Sequence, residues 1–178
     1  MALELKSYIR SIPGFPKEGI VFRDITPLLA DGKALKETSR QTADHYRAAK
    51  PDLVVGAEAR GFIFGTAVAL ELGVGFIPVR KPGKLPAKCL TYTYELEYGQ
   101  DTLTMHWDAI KAGQRVLCVD DLLATGGTMA ACAHMVESLG GKIVGCGFVV
   151  ELAFLPGRKK LDKYDVYSLI SYASEEEA

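Results

Sequence analysis

The chain has 178 residues, of which 48% are hydrophobic and 24% charged, and its formal net charge is −1. That length and apolar share support one compact core without disulfide staples, so residues 1–178 read as a single domain. A near-neutral chain is no general trap for nucleic acid or an anionic membrane, and any affinity for phosphate has to come from local clusters. In chain order, Leu3 to Ile9 reads as a helix with charges at Glu4 and Lys6, a start unlike a secretion signal. Ile12 to Leu29, punctuated by Pro13, Gly14, Pro16, Gly19 and Pro27, reads as irregular. Ala34 to Arg47 is a second helix. Asp52 to Gly56 is a short buried strand, followed by a helix from Phe62 to Leu72 that Gly73 closes. Val74 to Val79 is a second buried strand. The pattern then changes to period two: Leu90, Tyr92, Tyr94 and Leu96 share one side. Thr102 to Trp107 can pair back across Tyr98-Gly99-Gln100-Asp101 as an antiparallel hairpin. Arg115 to Val119 is a third buried strand, and Gly126 to Leu139 a helix ending at Gly140-Gly141. Lys142 to Leu152 and Val166 to Tyr172 complete the set.

Apolar strands alternating with helices imply an α/β fold: a central, mostly parallel sheet flanked by helices, here with an inserted hairpin. The longest apolar run, Gly61 to Leu70, is about half a bilayer span, so no membrane partner is expected. The four cysteines, Cys89, Cys118, Cys132 and Cys146, form no CxxC pair and read as free thiols of a reducing cytoplasm. His45, His106 and His134 share no metal-ligand spacing. Glu175-Glu176-Glu177 reads as a frayed tail, and Trp107, Tyr92 and Tyr94 as hairpin packing.

The chemistry concentrates in Val116-Leu117-Cys118-Val119-Asp120-Asp121-Leu122-Leu123-Ala124-Thr125-Gly126-Gly127-Thr128. A buried strand ends in two adjacent carboxylates and runs into a small-residue loop that opens a helix. Such a loop aims backbone N–H groups, the Thr125 and Thr128 hydroxyls and the positive end of the helix dipole at a phosphate. Gly126 and Gly127 allow close backbone approach. Carboxylates beside a phosphate cradle repel a bare anion, so the ligand should also carry sugar hydroxyls or a cation such as Mg²⁺. No GxxxxGK[ST] is present, and Gly73-Val74-Gly75 precedes a strand rather than a helix, which excludes the common nucleotide loops.

The same stretch resembles the phosphoribosyl pyrophosphate signature of the type I phosphoribosyltransferases, and is similar in detail to their adenine-specific members. Three further stretches carry the likeness: Phe15 to Ile25, Glu58-Ala59-Arg60-Gly61-Phe62, and Leu96-Glu97-Tyr98-Gly99. The resemblance implies that Asp120 and Asp121 hold the ribose hydroxyls, and that Ala124, Thr125, Gly126, Gly127 and Thr128 hold the 5-phosphate. Glu58, Ala59, Arg60 and Gly61 match the pyrophosphate loop, with alanine at Ala59 where serine is frequent. Val21, Phe22 and Arg23 match the base pocket: Phe22 to stack, and the backbone of Arg23 to read the purine edge. A small hood over about residues 1–30 and a flexible catalytic loop with its hairpin over about residues 80–107 are implied as well. Arg80, Lys81 and Lys84 would meet pyrophosphate, with the gripping lysine left open and Arg80 able to reach a neighbouring subunit. Glu97 matches the acid/base group, and Tyr98 either packs on the loop or points at the ribose.

The implied reaction moves a 5-phosphoribosyl group from phosphoribosyl pyrophosphate to adenine, with Glu97, Asp120, Asp121 and Arg60 as catalytic residues. Mg²⁺ would be held mainly through the substrate, in a cytoplasmic homodimer. A phosphoribosyltransferase for another nucleobase, or a regulatory phosphoribosyl pyrophosphate sensor that binds nucleic acid, stand as alternatives. The near-neutral charge and the presence of Glu97 weigh against the sensor.

Overall fold

The computed structural model describes residues 3–95 and 99–177. Where a helix is expected at the start, there is a single 3-10 turn, Leu5–Tyr8, because only Leu5 within it is buried and Ile9 is already extended. The proline-rich segment is not irregular throughout. Strands β1 (Arg10–Pro13) and β2 (Val21–Asp24) pair as an antiparallel ribbon. Gly14 donates to the Ile20 carbonyl at 2.8 Å, so Pro13, opposite Val21, occupies a position that needs no ladder N–H. Four-residue strands broken by prolines leave too little periodicity to find in the sequence. A short helix, α1 (Thr26–Ala30), follows. Helix α2 (Gly32–Arg47) is capped by Asp31, whose carboxylate accepts from the Lys33 and Ala34 N–H groups at 2.9 Å each.

The remaining elements alternate as expected: β3 (Leu53–Ala57), α3 (Arg60–Leu72) and β4 (Gly75–Val79). The hairpin strands are β5 (Cys89–Glu95) and β6 (Gln100–His106). β6 begins two residues before the expected Thr102, because Gln100 and Asp101 still pair with Glu95 and Tyr94. Then come β7 (Arg115–Leu123), α4 (Gly127–Ser138), β8 (Lys142–Leu152), a four-residue helix α5 (Gly157–Lys160) that the sequence pattern misses, and β9 (Val166–Tyr172).

The sheet order is β4-β3-β7-β8-β9, with every pair parallel. Leu117 and Val119 of β7 enter one core with α2 and α3, whereas Val116 and Cys118 enter the other with α4 and the hairpin. Each buried aliphatic or Phe side chain contributes roughly 1.5–3 kcal/mol to that assembly. α2 lies so close to the sheet that a Cβ at Gly145 would stand 2.1 Å from the Tyr46 ring. The Tyr46 hydroxyl reaches the Cys146 and Asp165 carbonyls at 3.0 and 3.1 Å, which satisfies a buried polar group. The chain runs outward from β3 to β4 in one direction and from β7 to β9 in the other. The switch point therefore falls between β3 and β7, where open α/β sheets bind ligands beyond the strands' carboxyl ends.

Candidate active site

Two loops meet at that switch point. β7 is longer than the sequence pattern implies, since Leu122 and Leu123 still pair with Val150 and Glu151 of β8. On the β3 side the ladder stops at Gly56 opposite Val119. Asp120 and Asp121 thus lie within β7, yet the missing neighbour on one side opens a cleft beside them. A cavity of about 230 Å³ forms there, lined by the continuous run 120–129 with Glu58, Ala59, Arg60 and Phe148.

Glycines set how closely these loops approach. A Cβ at Gly61 would stand 2.8 Å from Asp120 Oδ1, and one at Gly56 would stand 2.7 Å from the Gly61 carbonyl. Asp120 Oδ1 accepts the Asp121 N–H at 2.9 Å. Asp121 is paired with Arg60, Nε to Oδ2 at 2.8 Å. Burial and the adjacent Asp121 charge push the Asp120 carboxyl well above the usual carboxylate range, and the Asp121 N–H and then Arg60 oppose them only in part. Such a carboxyl gains most when a hydroxyl donor or a positive charge is placed against it.

The loop from Ala124 to Thr128 opens α4. Gly126, at φ 76, occupies its N-cap and has no side chain to cap the helix, so the first-turn N–H groups point out uncapped by that residue. α5 backs the loop: a Cβ at Gly126 would be 2.7 Å from the Gly157 carbonyl, and one at Gly157 would be 2.2 Å from the Ala124 carbonyl. Arg158 pins α5 through a two-pronged bond to Glu151 at 2.8 and 2.5 Å and a bond to the Val166 carbonyl at 3.0 Å. Gly157 carries no motif, and only its packing reveals it.

The cationic segment reaches the cavity through Glu58. The Glu58 carboxylate accepts from Arg80 Nε at 2.6 Å and the Lys81 N–H at 3.0 Å. Burial raises its pKa, but these donors outweigh that and hold it below the usual range. Arg80 also donates to the Lys84 carbonyl at 3.2 Å. Lys81 is ion-paired with Asp101. Asp101 accepts from the Tyr94 hydroxyl at 3.1 Å, and that hydroxyl lies 3.3 Å from Thr128 Oγ1. Tyr94, expected as hairpin packing, therefore links the cationic segment to the loop that opens α4; burial, ahead of the Asp101 charge, pushes its hydroxyl up to about 12. Tyr92 does pack, its ring 4.1 Å from that of His134.

Glu58, Ala59, Arg60 and residues 120–128 are thus brought together, with Gly61 directly behind Asp120. Arg80 and Lys81 sit one contact away, and Lys84 takes part through its carbonyl. Phe22 lies 5.9 Å from the Arg60 guanidinium and makes an edge-to-face contact with Phe15. The Arg23 side chain is buried away from the cavity against Tyr172, Ser11 and the Glu175 carbonyl. Glu97, with Leu96 and Tyr98, lies outside the described residues.

Residues 24–176 match the family model described as a phosphoribosyl transferase domain. The chain belongs to that family. The family's type I fold accounts for the parallel sheet and the inserted hairpin. The adenine phosphoribosyltransferase of Solibacter usitatus is 59% identical over 169 residues, 95% of this chain and 98% of the relative. A crystal structure of the enzyme of that name from Thermoanaerobacter pseudethanolicus superposes with a TM-score of 0.92 at 58% identity, covering 95% of this chain and 98% of that one. The Saccharomyces cerevisiae enzyme, in complex with an imino-altritol bisphosphate and adenine, has a TM-score of 0.89 at 45% identity over 93% and 96% of the two chains.

Proposed function

We propose that this protein transfers the 5-phosphoribosyl group of 5-phosphoribosyl 1-pyrophosphate to adenine, giving AMP and pyrophosphate, a purine-salvage reaction. The observation that carries this is the Asp120–Asp121 pair set against the uncapped N-terminus of α4 in one cavity. A phosphorylated sugar satisfies both: hydroxyls on the acids, phosphate on the amides. The close relatives bearing the adenine phosphoribosyltransferase name support the same reading.

The choice of base follows from β2. Because Ile20, Phe22 and Asp24 face β1, the backbone groups of Val21 and Arg23 point to the other edge. The Val21 N–H donates to Glu175. The next two groups along that edge are the Val21 C=O and the Arg23 N–H, an acceptor followed by a donor. Adenine presents the complement, a 6-amino donor beside the N1 acceptor, whereas a 6-oxopurine presents the reverse.

In the reaction, the anomeric carbon–oxygen bond breaks and its electron pair leaves with pyrophosphate, while the base nitrogen forms the new bond from the opposite face. Positive charge that builds on the ring is stabilised by Asp120 and Asp121. Glu97 takes the proton lost by the base. Glu58 acts as the anchor for Arg80 and Lys81, whose charges offset that of the leaving group. Mg²⁺ would be held mainly through the oxygens of the substrate; Asp120, the member of the acid pair that Arg60 does not hold, is the protein oxygen donor that would fit beside them. When bound, the ion neutralises charge on pyrophosphate. The exposed apolar side chains of α3, Ile63 at 41% and Leu70 at 78%, support a homodimer through that helix. The unpaired, buried Cys118, Cys132 and Cys146 suit a reducing cytoplasm.

The test mixes protein, Mg²⁺ and phosphoribosyl pyrophosphate with adenine, hypoxanthine, guanine and uracil separately. AMP should form fastest. A different preferred base, or no product from any, overturns the assignment.

A further inference from the structure

A cluster that the reaction does not use lies where the carboxyl-terminal tail crosses the amino-terminal ribbon. The segment expected to fray is tied down. Glu175 accepts the Val21 N–H through Oε1 at 2.5 Å, and its main-chain carbonyl accepts from Arg23 Nη2 at 2.8 Å. The Arg23 guanidinium lies 3.8 Å from the centre of the Tyr172 ring and donates to Ser11 Oγ at 2.5 Å. Lys6 reaches the same ring at 4.6 Å and pairs with Glu177 at 2.5 Å. Glu177 in turn accepts the Ala173 N–H at 2.5 Å, which closes the tail on itself. A ribbon of two four-residue strands is marginal alone, so these contacts bear directly on where β2 sits.

We propose that Glu175 is a positioning and specificity-determining residue: it masks the Val21 N–H, so that the outer edge of β2 offers a base only the acceptor–donor pair formed by the Val21 C=O and the Arg23 N–H. The inference rests on β2 being the strand that reads the base. Unmasked, the edge would begin with a donor followed by an acceptor, the Val21 N–H and C=O. That pair complements the O6 acceptor and N1–H donor of a 6-oxopurine. A carboxylate on the first donor removes this competing register and leaves an acidic group that repels O6, an instance of discrimination by blocking the wrong partner. The same contact holds the strand in place for the amino group and N1 of adenine.

The test compares steady-state constants for adenine and hypoxanthine in the wild type, Glu175→Ala, Glu175→Gln and Phe22→Ala. In Glu175→Ala the KM for adenine should rise, and the adenine-to-hypoxanthine ratio of kcat/KM should narrow by about tenfold. The KM for phosphoribosyl pyrophosphate should stay put. Glu175→Gln keeps an oxygen acceptor and should recover most of the ratio. An unchanged ratio in Glu175→Ala overturns the proposal. So does a ratio that holds while every constant worsens together with the melting temperature, since that is loss of structure alone. Phe22→Ala separates the two layers. If it leaves the constants for both bases untouched, β2 is not the reading strand and both conclusions fall. If it impairs adenine use while Glu175→Ala does not, only the role of Glu175 falls.

Discussion

Asp120 opposes stability at neutral pH, and the proposed reaction places it against the ribose. Its carboxyl is raised by burial and by Asp121. A raised acid makes the folded state bind the extra proton, so its favourable contribution is present at low pH and is lost as pH rises through the folded value. At neutral pH the charged form costs stability, and a neutral isostere removes that cost. Asp120→Asn should therefore lower kcat by about a hundredfold or more while melting at the same temperature or higher. Wild-type turnover in that variant would remove the assigned role. Glu97→Gln should slow the chemical step seen in a single turnover without changing substrate affinity; an unchanged single-turnover rate would end its assignment as the base. The motif Asp120–Thr128 was legible because its logic is local: strand, acids, glycines, helix start. Tyr94 was not, because its contact with Thr128 depends on how the hairpin docks on α4.

At the scale of elements, the Ala124–Thr128 loop, the proposed phosphate site, is backed by α5, four residues with no periodicity to announce them. Gly157→Ala places a methyl group 2.2 Å from the Ala124 carbonyl, a clash that backbone movement has to relieve. Overpacking of this kind costs about 1–3 kcal/mol. The expected outcome is a KM for phosphoribosyl pyrophosphate raised about tenfold, with the KM for adenine changed far less. Equal effects on both substrates would contradict the view that α5 shapes the phosphate site. β7 carries a related lesson. Its apolar run predicts a strand ending at Val119, but pairing with β8 extends it to Leu123. Strand ends are decided by the neighbour's ladder, which a single run of sequence does not contain.

Across the whole molecule, three carboxylates anchor neighbouring elements. Asp24 is lowered first by the Thr26 N–H and then by Arg10; Glu151 is lowered first by Arg158; in Glu58 the Lys81 N–H and Arg80 overcome burial. Each folded pKa lies below its unfolded value, so this stability is present above about pH 4, the ordinary carboxylate range, and fades as pH falls through the folded values. The urea midpoint should hold from pH 7 to about pH 5 and then decline toward pH 3. A midpoint that rises steadily on acidification would show that the opposing Asp120 contribution dominates. The amino-acid sequence alone determined the alternation of strands and helices and the acid–glycine loop, since apolar periodicity, helix stops and turn chemistry act over a few residues. Only the tertiary structure decided that Arg60 meets Asp121, that Gly157 backs the loop opening α4 and that Glu175 reaches Val21. Those partners are far apart in the chain and become neighbours through sheet order and packing, which no local pattern encodes.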